Sequence, residues 1–147
     1  MTVSVQVAVA VAAPVDRVWR LLTDWERQSD WVPLTSVWSE DGDRVGGRIF
    51  ARTGIGRLGF LDSMEISKFD PPRRCEVRHT GQVVRGLGVF RVDPVDDGRT
   101  RVGWEEHVEP PFGAAGRLGF MLVRPLVQLS LWWTLRRFAR LATRLPT

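Results

Sequence analysis

The sequence contains few of the residues that metal sites and disulfides require. It has one cysteine, Cys75, and two histidines, His79 and His107. A single cysteine excludes an intramolecular disulfide and any zinc or iron-sulfur site made of several cysteines. The histidines lie 28 positions apart, which matches no recognised zinc spacing. We therefore expect no metal and no cofactor, and we expect Cys75 to be a small core residue.

Groups for acid-base catalysis are also scarce. Tyrosine is absent, and no G-x-S-x-G motif marks a nucleophilic serine. The composition therefore leaves open whether the protein is an enzyme.

Acidic residues are absent from the C-terminal segment. After Glu109 the charged residues are six arginines: Arg117, Arg124, Arg136, Arg137, Arg140 and Arg144. The net charge of +4 therefore belongs to this segment, and residues 1–109 carry about −2. No helix-turn-helix, RNP or zinc-finger pattern accompanies the basic residues, so we expect no nucleic-acid partner.

The N-terminal stretch, MTVSVQVAVAVAAPVDRVW, is apolar enough to be compared with a secretory signal. It lacks a positive n-region, and Thr2, Ser4 and Gln6 interrupt the apolar run at every second position. Valine occupies each odd position from 3 to 11, and a period of two indicates a β-strand. We predict a cytoplasmic protein whose first element is a strand.

The length suits one domain over residues 1–147. Pro14 is tolerated in a first helical turn, and a short amphipathic helix is predicted from the apolar spacing of Val15, Val18, Trp19 and Leu22. A second short turn follows over 25–31. Turn sequences rich in Gly, Asp and Pro then separate six predicted antiparallel strands, at about 34–41, 45–52, 58–69, 73–80, 84–94 and 100–109.

The segment after Pro111 predicts a long helix with two apolar faces. One face has the spacing of a buried stripe and includes Phe120, Val127, Leu131, Thr134 and Phe138. The second row comprises Leu118, Leu122, Leu126, Leu129 and Trp133, on the side that arginines occupy further along. Such a row requires a cover, which we expect to be a second subunit, the 111–117 loop, a lipid surface or a ligand. A transmembrane span is disfavoured because Arg124, Pro125 and Gln128 interrupt the apolar run.

Three stretches carry a resemblance to a known family: VAVAAPVDRVWRLLTDWERQSDW near the N-terminus, DPPRR at 70–74, and DGRTRVGWEEHVEPP at 97–111. With the order strand, two short helices, six strands and long helix, the chain resembles the START-like helix-grip superfamily, in its polyketide cyclase/dehydrase-like branch. The resemblance implies an α+β fold, in which a seven-stranded curved antiparallel sheet wraps around the C-terminal helix. It also implies a hydrophobic cavity between sheet and helix.

Strand alternation selects two candidate catalytic residues in such a cavity. In strand 73–80, His79 falls on the apolar face, where it either contacts a ligand or transfers protons, or is a structural histidine bonded to a backbone group. In the last strand, Glu106 shares the inward face with Trp104, whereas Glu105 and His107 point to solvent. A carboxylate on an apolar face requires a partner, a raised pKa or access to water in a cavity, so Glu106 is the better candidate. An ion pair to Arg124 is the structural alternative.

The same periodicity predicts the ligand-binding residues of the cavity: Trp31, Ile49, Met64, Phe90, Trp104, Met121 and Leu131. Large rigid aromatic side chains suit flat ring systems.

Three functions remain open on this sequence. The first is the binding of a small hydrophobic molecule such as a lipid, a quinone or a polyketide-like ring. The second is a polyketide cyclase or aromatase in which Glu106 or His79 moves protons. The third is an interaction module in which the C-terminal helix contacts a membrane surface peripherally or pairs with a second copy of the chain.

Overall fold

The computed structural model describes residues 2–82 and 84–144. The chain begins with β1 (Val3–Val11), α1 (Val15–Leu22) and a 3₁₀ helix at Trp25–Asp30. Six strands follow: β2 (Thr35–Glu40), β3 (Arg48–Ile55), β4 (Leu58–Asp70), β5 (Arg74–His79), β6 (Gly86–Asp96) and β7 (Arg99–Val108). A helix of 32 residues, α2 (Gly113–Arg144), completes the fold. The predicted element order and fold class are confirmed, with strand ends displaced by a few residues.

All seven strands form one antiparallel sheet in the order β1-β7-β6-β5-β4-β3-β2. The register is irregular between Ile66 and Lys68 in β4 and between Pro94 and Asp96 in β6. Such irregularities bend a strand and increase its twist. Because successive side chains alternate between faces, each strand contributes every second residue to the inner face of the sheet.

The core lies between this inner face and the helices. Val11, Val18, Ile66 and Val102 are at most 1% exposed and belong to one hydrophobic cluster. Cys75 belongs to the same cluster, as predicted, and burial raises the pKa of its thiol to about 12. The thiol is therefore protonated and inert at neutral pH.

Helix α2 enters the core through its C-terminal third. Thr134, Leu135, Phe138 and Ala142 are buried, and the Phe138 ring meets the Trp31 ring edge-on at a centroid distance of 5.0 Å. The helix continues through Pro125 without interruption.

Further toward its N-terminus, α2 lies along β1, which is an edge strand. Arg124 Nε donates to the carbonyl of Ser4 at 2.9 Å, and Gln128 Nε2 donates to the carbonyl of Gln6 at 3.4 Å. Four helical residues rise about 6 Å and two strand residues about 6.7 Å, so the two spacings match. The helix thereby occupies backbone acceptors that an edge strand otherwise leaves open to pairing with another chain.

The second apolar row of α2 is exposed. Leu118, Leu122, Leu126, Leu129 and Trp133 are between 48% and 75% exposed. The expectation that the 111–117 loop covers this row is therefore wrong. By length and composition α2 also qualifies as a candidate membrane span, and 11% of its most apolar window is buried. Core helices of soluble domains that meet the same criterion are mostly buried.

The two faces of α2 should respond differently to truncation. Phe138→Ala removes a fully buried ring and should lower the free energy of unfolding by about 3 to 5 kcal/mol. Leu126→Ala removes a side chain that is 69% exposed and should change it by less than about 0.5 kcal/mol. Urea unfolding followed by tryptophan fluorescence measures both, and equal losses would contradict the assignment of faces.

Candidate functional site

A cavity of about 180 Å³ lies between the inner face of the sheet and the segment 25–32. Its apolar walls are formed by Trp25, Val32, Ile49, Ala51, Met64, Val77, Val89, Phe90 and Trp104. Its polar lining consists of Gln28, Thr35, Thr53, Asp62, His79 and Glu106. Three ionisable groups thus share one small and largely apolar space.

These three groups form a hydrogen-bonded triad. His79 Nδ1 lies 2.9 Å from Asp62 Oδ1, and His79 Nε2 lies 3.0 Å from Glu106 Oε2. The second carboxylate oxygen of Glu106 accepts the indole N–H of Trp104 at 2.9 Å. The side chains of His79, Asp62 and Glu106 are 5%, 15% and 18% exposed, so the ion pairs are largely withdrawn from water.

Gly88 makes room for the Glu106 carboxylate. Gly88 and Glu106 are paired across β6 and β7. A Cβ at position 88 would lie 3.2 Å and 3.3 Å from the two carboxylate oxygens, and 3.2 Å from a methyl group of Val77. A side chain there would therefore push against Glu106, because such distances are shorter than ordinary contacts.

His79 carries a positive charge at neutral pH. Burial by itself lowers the pKa of His79, but hydrogen bonds to Asp62 and Glu106 and the charges of both carboxylates raise it to about 10. Both ring nitrogens then donate, one to each carboxylate. An imidazolium whose two N–H groups both donate has no lone pair free to accept a further proton. Among the described residues, no group of three or more His, Cys, Asp or Glu side chains is arranged to hold a metal ion.

A family model described as "Polyketide cyclase / dehydrase and lipid transport" matches residues 2–143. The chain belongs to this family. No protein of curated function matches the sequence.

Solved structures share the fold of this polyketide cyclase/dehydrase family member. The Zhui aromatase/cyclase from Streptomyces sp. R1128 superposes with a TM-score of 0.81 at 18% identity, covering 98% of this chain and 95% of that chain. A protein from Thermus thermophilus gives 0.79 at 20% identity, covering 95% and 97%. Norcoclaurine synthase from Thalictrum flavum gives 0.66 at 16% identity, covering 97% and 94%. At these identities the similarity concerns the fold alone.

Most of the residues predicted to bind a ligand surround the cavity in this family member. Ile49, Met64, Phe90 and Trp104 line it. Trp31 is fully buried behind its wall, with ring centroids 6.4 Å from Phe90 and 6.2 Å from Trp104.

Two of the predicted lining residues lie elsewhere. Met121 is 53% exposed on α2 and Leu131 is half-buried, and neither lines the cavity. The prediction is corrected here because no α2 residue is among those that line this cavity: the helix packs along β1, and the segment 25–32 faces the sheet at the cavity instead.

The cationic partner of the Glu106 carboxylate also differs from the one predicted. Arg124 binds the carbonyl of Ser4, and the positive charge beside Glu106 belongs to His79. Asp62 was missed as a site residue, although Met64 and Ile66 on the same face of β4 place it inward by alternation. What alternation could not show is that β4, β5 and β7 bring Asp62, His79 and Glu106 within hydrogen-bond distance.

Glu105 and His107, which flank Glu106 on the outer face of β7, contact other side chains as well as solvent. Glu105 forms an ion pair with Arg91 and is 15% exposed. His107 Nδ1 hydrogen bonds with the hydroxyl of Ser4 at 2.7 Å, and its Nε2 lies 3.7 Å from Glu105. The expectation of a merely solvated pair is therefore wrong, although the separation of the two faces is as predicted.

The triad should make stability depend on pH in the alkaline range. The pKa of His79 is raised from its ordinary value of 6.5 to about 10, so its contribution is complete below about 6.5 and is lost as pH rises through about 10. We expect a loss on the order of a few kcal/mol across that window, measured by urea unfolding at successive pH values.

His79→Gln tests this attribution. The variant should be less stable than the wild type at pH 7, because two carboxylates lose their cation, and its deficit should shrink toward pH 10. His107→Gln is the matched control and should keep the wild-type pH profile. A wild-type stability that stays constant across this window would contradict a charged His79.

Proposed function

We propose that this family member binds a small, flat, largely apolar molecule that carries a hydroxyl or ammonium group. The observation that carries the proposal is the charged triad Asp62, His79 and Glu106 on the wall of a largely apolar cavity. The apolar walls supply the driving force for binding, and the triad supplies the orientation.

The size of the cavity limits the ligand. Pockets for drug-sized ligands are roughly 300 to 1,000 Å³, whereas this cavity measures about 180 Å³. A molecule of about one or two rings fits this space more readily than a lipid with long acyl chains. The rings of Phe90 and Trp104 lie 5.4 Å apart in the wall and offer surfaces for a flat ligand.

The triad selects the polar group of the ligand. Both N–H groups of His79 are already used, so within the triad the remaining hydrogen-bonding capacity belongs to carboxylate oxygens of Asp62 and Glu106. Carboxylate oxygens accept hydrogen bonds, and the triad carries a net charge of about −1 when His79 is protonated. Donors such as phenol, enol or ammonium groups therefore suit this wall better than a quinone, which offers only acceptors.

A matched pair of ligands tests the proposal. 2-Naphthol carries a hydroxyl donor, and 2-methoxynaphthalene presents a similar ring system without that donor. Titration followed by tryptophan fluorescence should show naphthol binding at least about tenfold more tightly, since a hydrogen bond to a charged group contributes about 1.5 to 3 kcal/mol.

Glu106→Gln should reduce this preference, because the amide lacks the negative charge. Glu105→Gln is the same substitution one residue away on the outer face and should leave both affinities unchanged. Equal affinities of the wild type for the two ligands, or an equal response of the two variants, would contradict a ligand oriented by the triad.

Proton transfer is a second candidate function, favoured by a carboxylate that faces the cavity beside an imidazolium. In an intramolecular aldol reaction, Glu106 would remove a proton from carbon beside one carbonyl. The resulting enolate carbon would bond to a second carbonyl carbon, and the alkoxide formed would take the proton back from Glu106. The step consumes no other reactant. His79 and Asp62 would act as positioning residues, because His79 is held as a donor.

Heptane-2,6-dione is small enough for this cavity and can cyclise by this route. If the protein is a cyclase, it should accelerate the reaction, and Glu106→Gln should lower kcat by about a hundredfold or more. Glu105→Gln should keep the wild-type rate, and gas chromatography measures the product. Full turnover by Glu106→Gln would remove Glu106 from the mechanism, and no acceleration by wild type would favour binding alone.

The cytoplasmic location stays a prediction from the sequence. A homodimer through α2 is also untested.

A further inference from the structure

One straight row of side chains runs along the face of α2 opposite to the core. It comprises Leu118, Leu122, Leu126, Leu129, Trp133, Arg136, Arg140 and Arg144, and we call it the outer stripe. Its members recur at steps of three and four residues, which keeps them on one side of a helix. The apolar part is about 22 Å long and the basic part about 12 Å.

The outer stripe is open to solvent. Leu122 and Leu126 are 75% and 69% exposed, although both are large apolar side chains. The buried residues Leu135, Phe138 and Ala142 lie on the other side of the same helix. The stripe therefore contributes nothing to the domain core. Exposing its apolar side chains to water is unfavourable in free energy, and an external partner that covered them would remove this cost.

The charge of the stripe distinguishes between partners. No Asp or Glu follows Glu109 in the sequence, so α2 offers no acidic group to a basic one. If two copies paired through this stripe in parallel, arginine would face arginine. If they paired antiparallel, the arginines of each copy would cover the leucines of the other without a counter-ion. Self-association through the outer stripe is therefore disfavoured.

An anionic bilayer matches both parts of the stripe. In such a bilayer the leucines would enter the acyl region, and the arginines would bind lipid phosphates at its boundary. Trp132 and Trp133 lie where the apolar part gives way to the basic part, and tryptophan favours that depth in a membrane. Arg136 and Arg137 lie over these two indole rings, at 5.3 Å and 5.1 Å from the centroids. This contact keeps cation and indole together at the junction.

We propose that α2 docks on an anionic lipid bilayer through the outer stripe, with its leucines among the acyl chains and its arginines on the phosphates. The stripe is separate from the cavity, so this docking does not depend on which ligand the cavity takes.

Vesicle flotation tests the proposal. The wild-type chain should float with vesicles of phosphatidylcholine and phosphatidylserine and should not float with phosphatidylcholine alone, and raised salt should weaken the binding. Arg136→Gln, Arg140→Gln and Arg144→Gln together should weaken binding about a hundredfold. Leu122→Glu with Leu126→Glu should abolish it, and both side chains are exposed enough for the fold to tolerate the change.

Two control variants match these changes elsewhere on the surface. Arg27→Gln, Arg44→Gln and Arg99→Gln together lower the net charge by the same three units, and these arginines are 41%, 67% and 63% exposed. Ile55→Glu with Leu58→Glu adds two acids at positions that are 68% and 82% exposed. The arginine control should bind within about twofold of wild type, and the acid control should still bind. Circular dichroism checks that each variant is folded.

Three results would overturn the proposal: no flotation of wild type, equal flotation with neutral and anionic vesicles, or equal losses in the stripe and control variants. A dimer in sedimentation velocity that Leu122→Glu with Leu126→Glu dissociates, without vesicle binding, would assign the stripe to a second copy instead.

Discussion

A buried positive charge on His79 is the constraint on which the candidate site depends. An imidazolium that is 5% exposed needs negative partners, and Asp62 and Glu106 supply them from two other strands. Trp104 then donates to the free oxygen of Glu106, and Gly88 leaves the space that this carboxylate occupies. The register of the sheet, the small Gly88 and the indole of Trp104 therefore all support one ion-paired cluster. The same cluster supplies the ionisable groups of a largely apolar cavity.

Different parts of helix α2 have different structural roles. Its C-terminal third closes the core through Phe138, whereas its middle caps the edge of β1 through Arg124 and Gln128. The face that remains is apolar and then basic, and no part of the described domain is folded over it. The cavity and this helix face are thus two separate surfaces of one family member, and we propose a small ligand for the first and an anionic bilayer for the second.

Much of the fold was predictable because local periodicity is strong in this chain. The valines of β1 alternate with polar residues, and the turn sequences separate the remaining strands within a few residues of their observed ends. Alternation also placed His79 and Glu106 on the inner face. The helical spacing of α2 did not predict the positions of Met121 and Leu131. It shows which residues share a face of the helix, but not which part of a long helix packs over the sheet.

The sequence by itself determined the elements, the order in which they follow, and the face on which each strand residue lies, because these depend on contacts between near neighbours. Only the tertiary structure decided that Asp62, His79 and Glu106 meet. Their hydrogen bonds join residues 17 and 27 positions apart across β4, β5 and β7, and depend on a sheet register that no single strand encodes. The partner of Arg124 was decided in the same way, since its bond to the Ser4 carbonyl spans 120 positions and follows from where α2 docks.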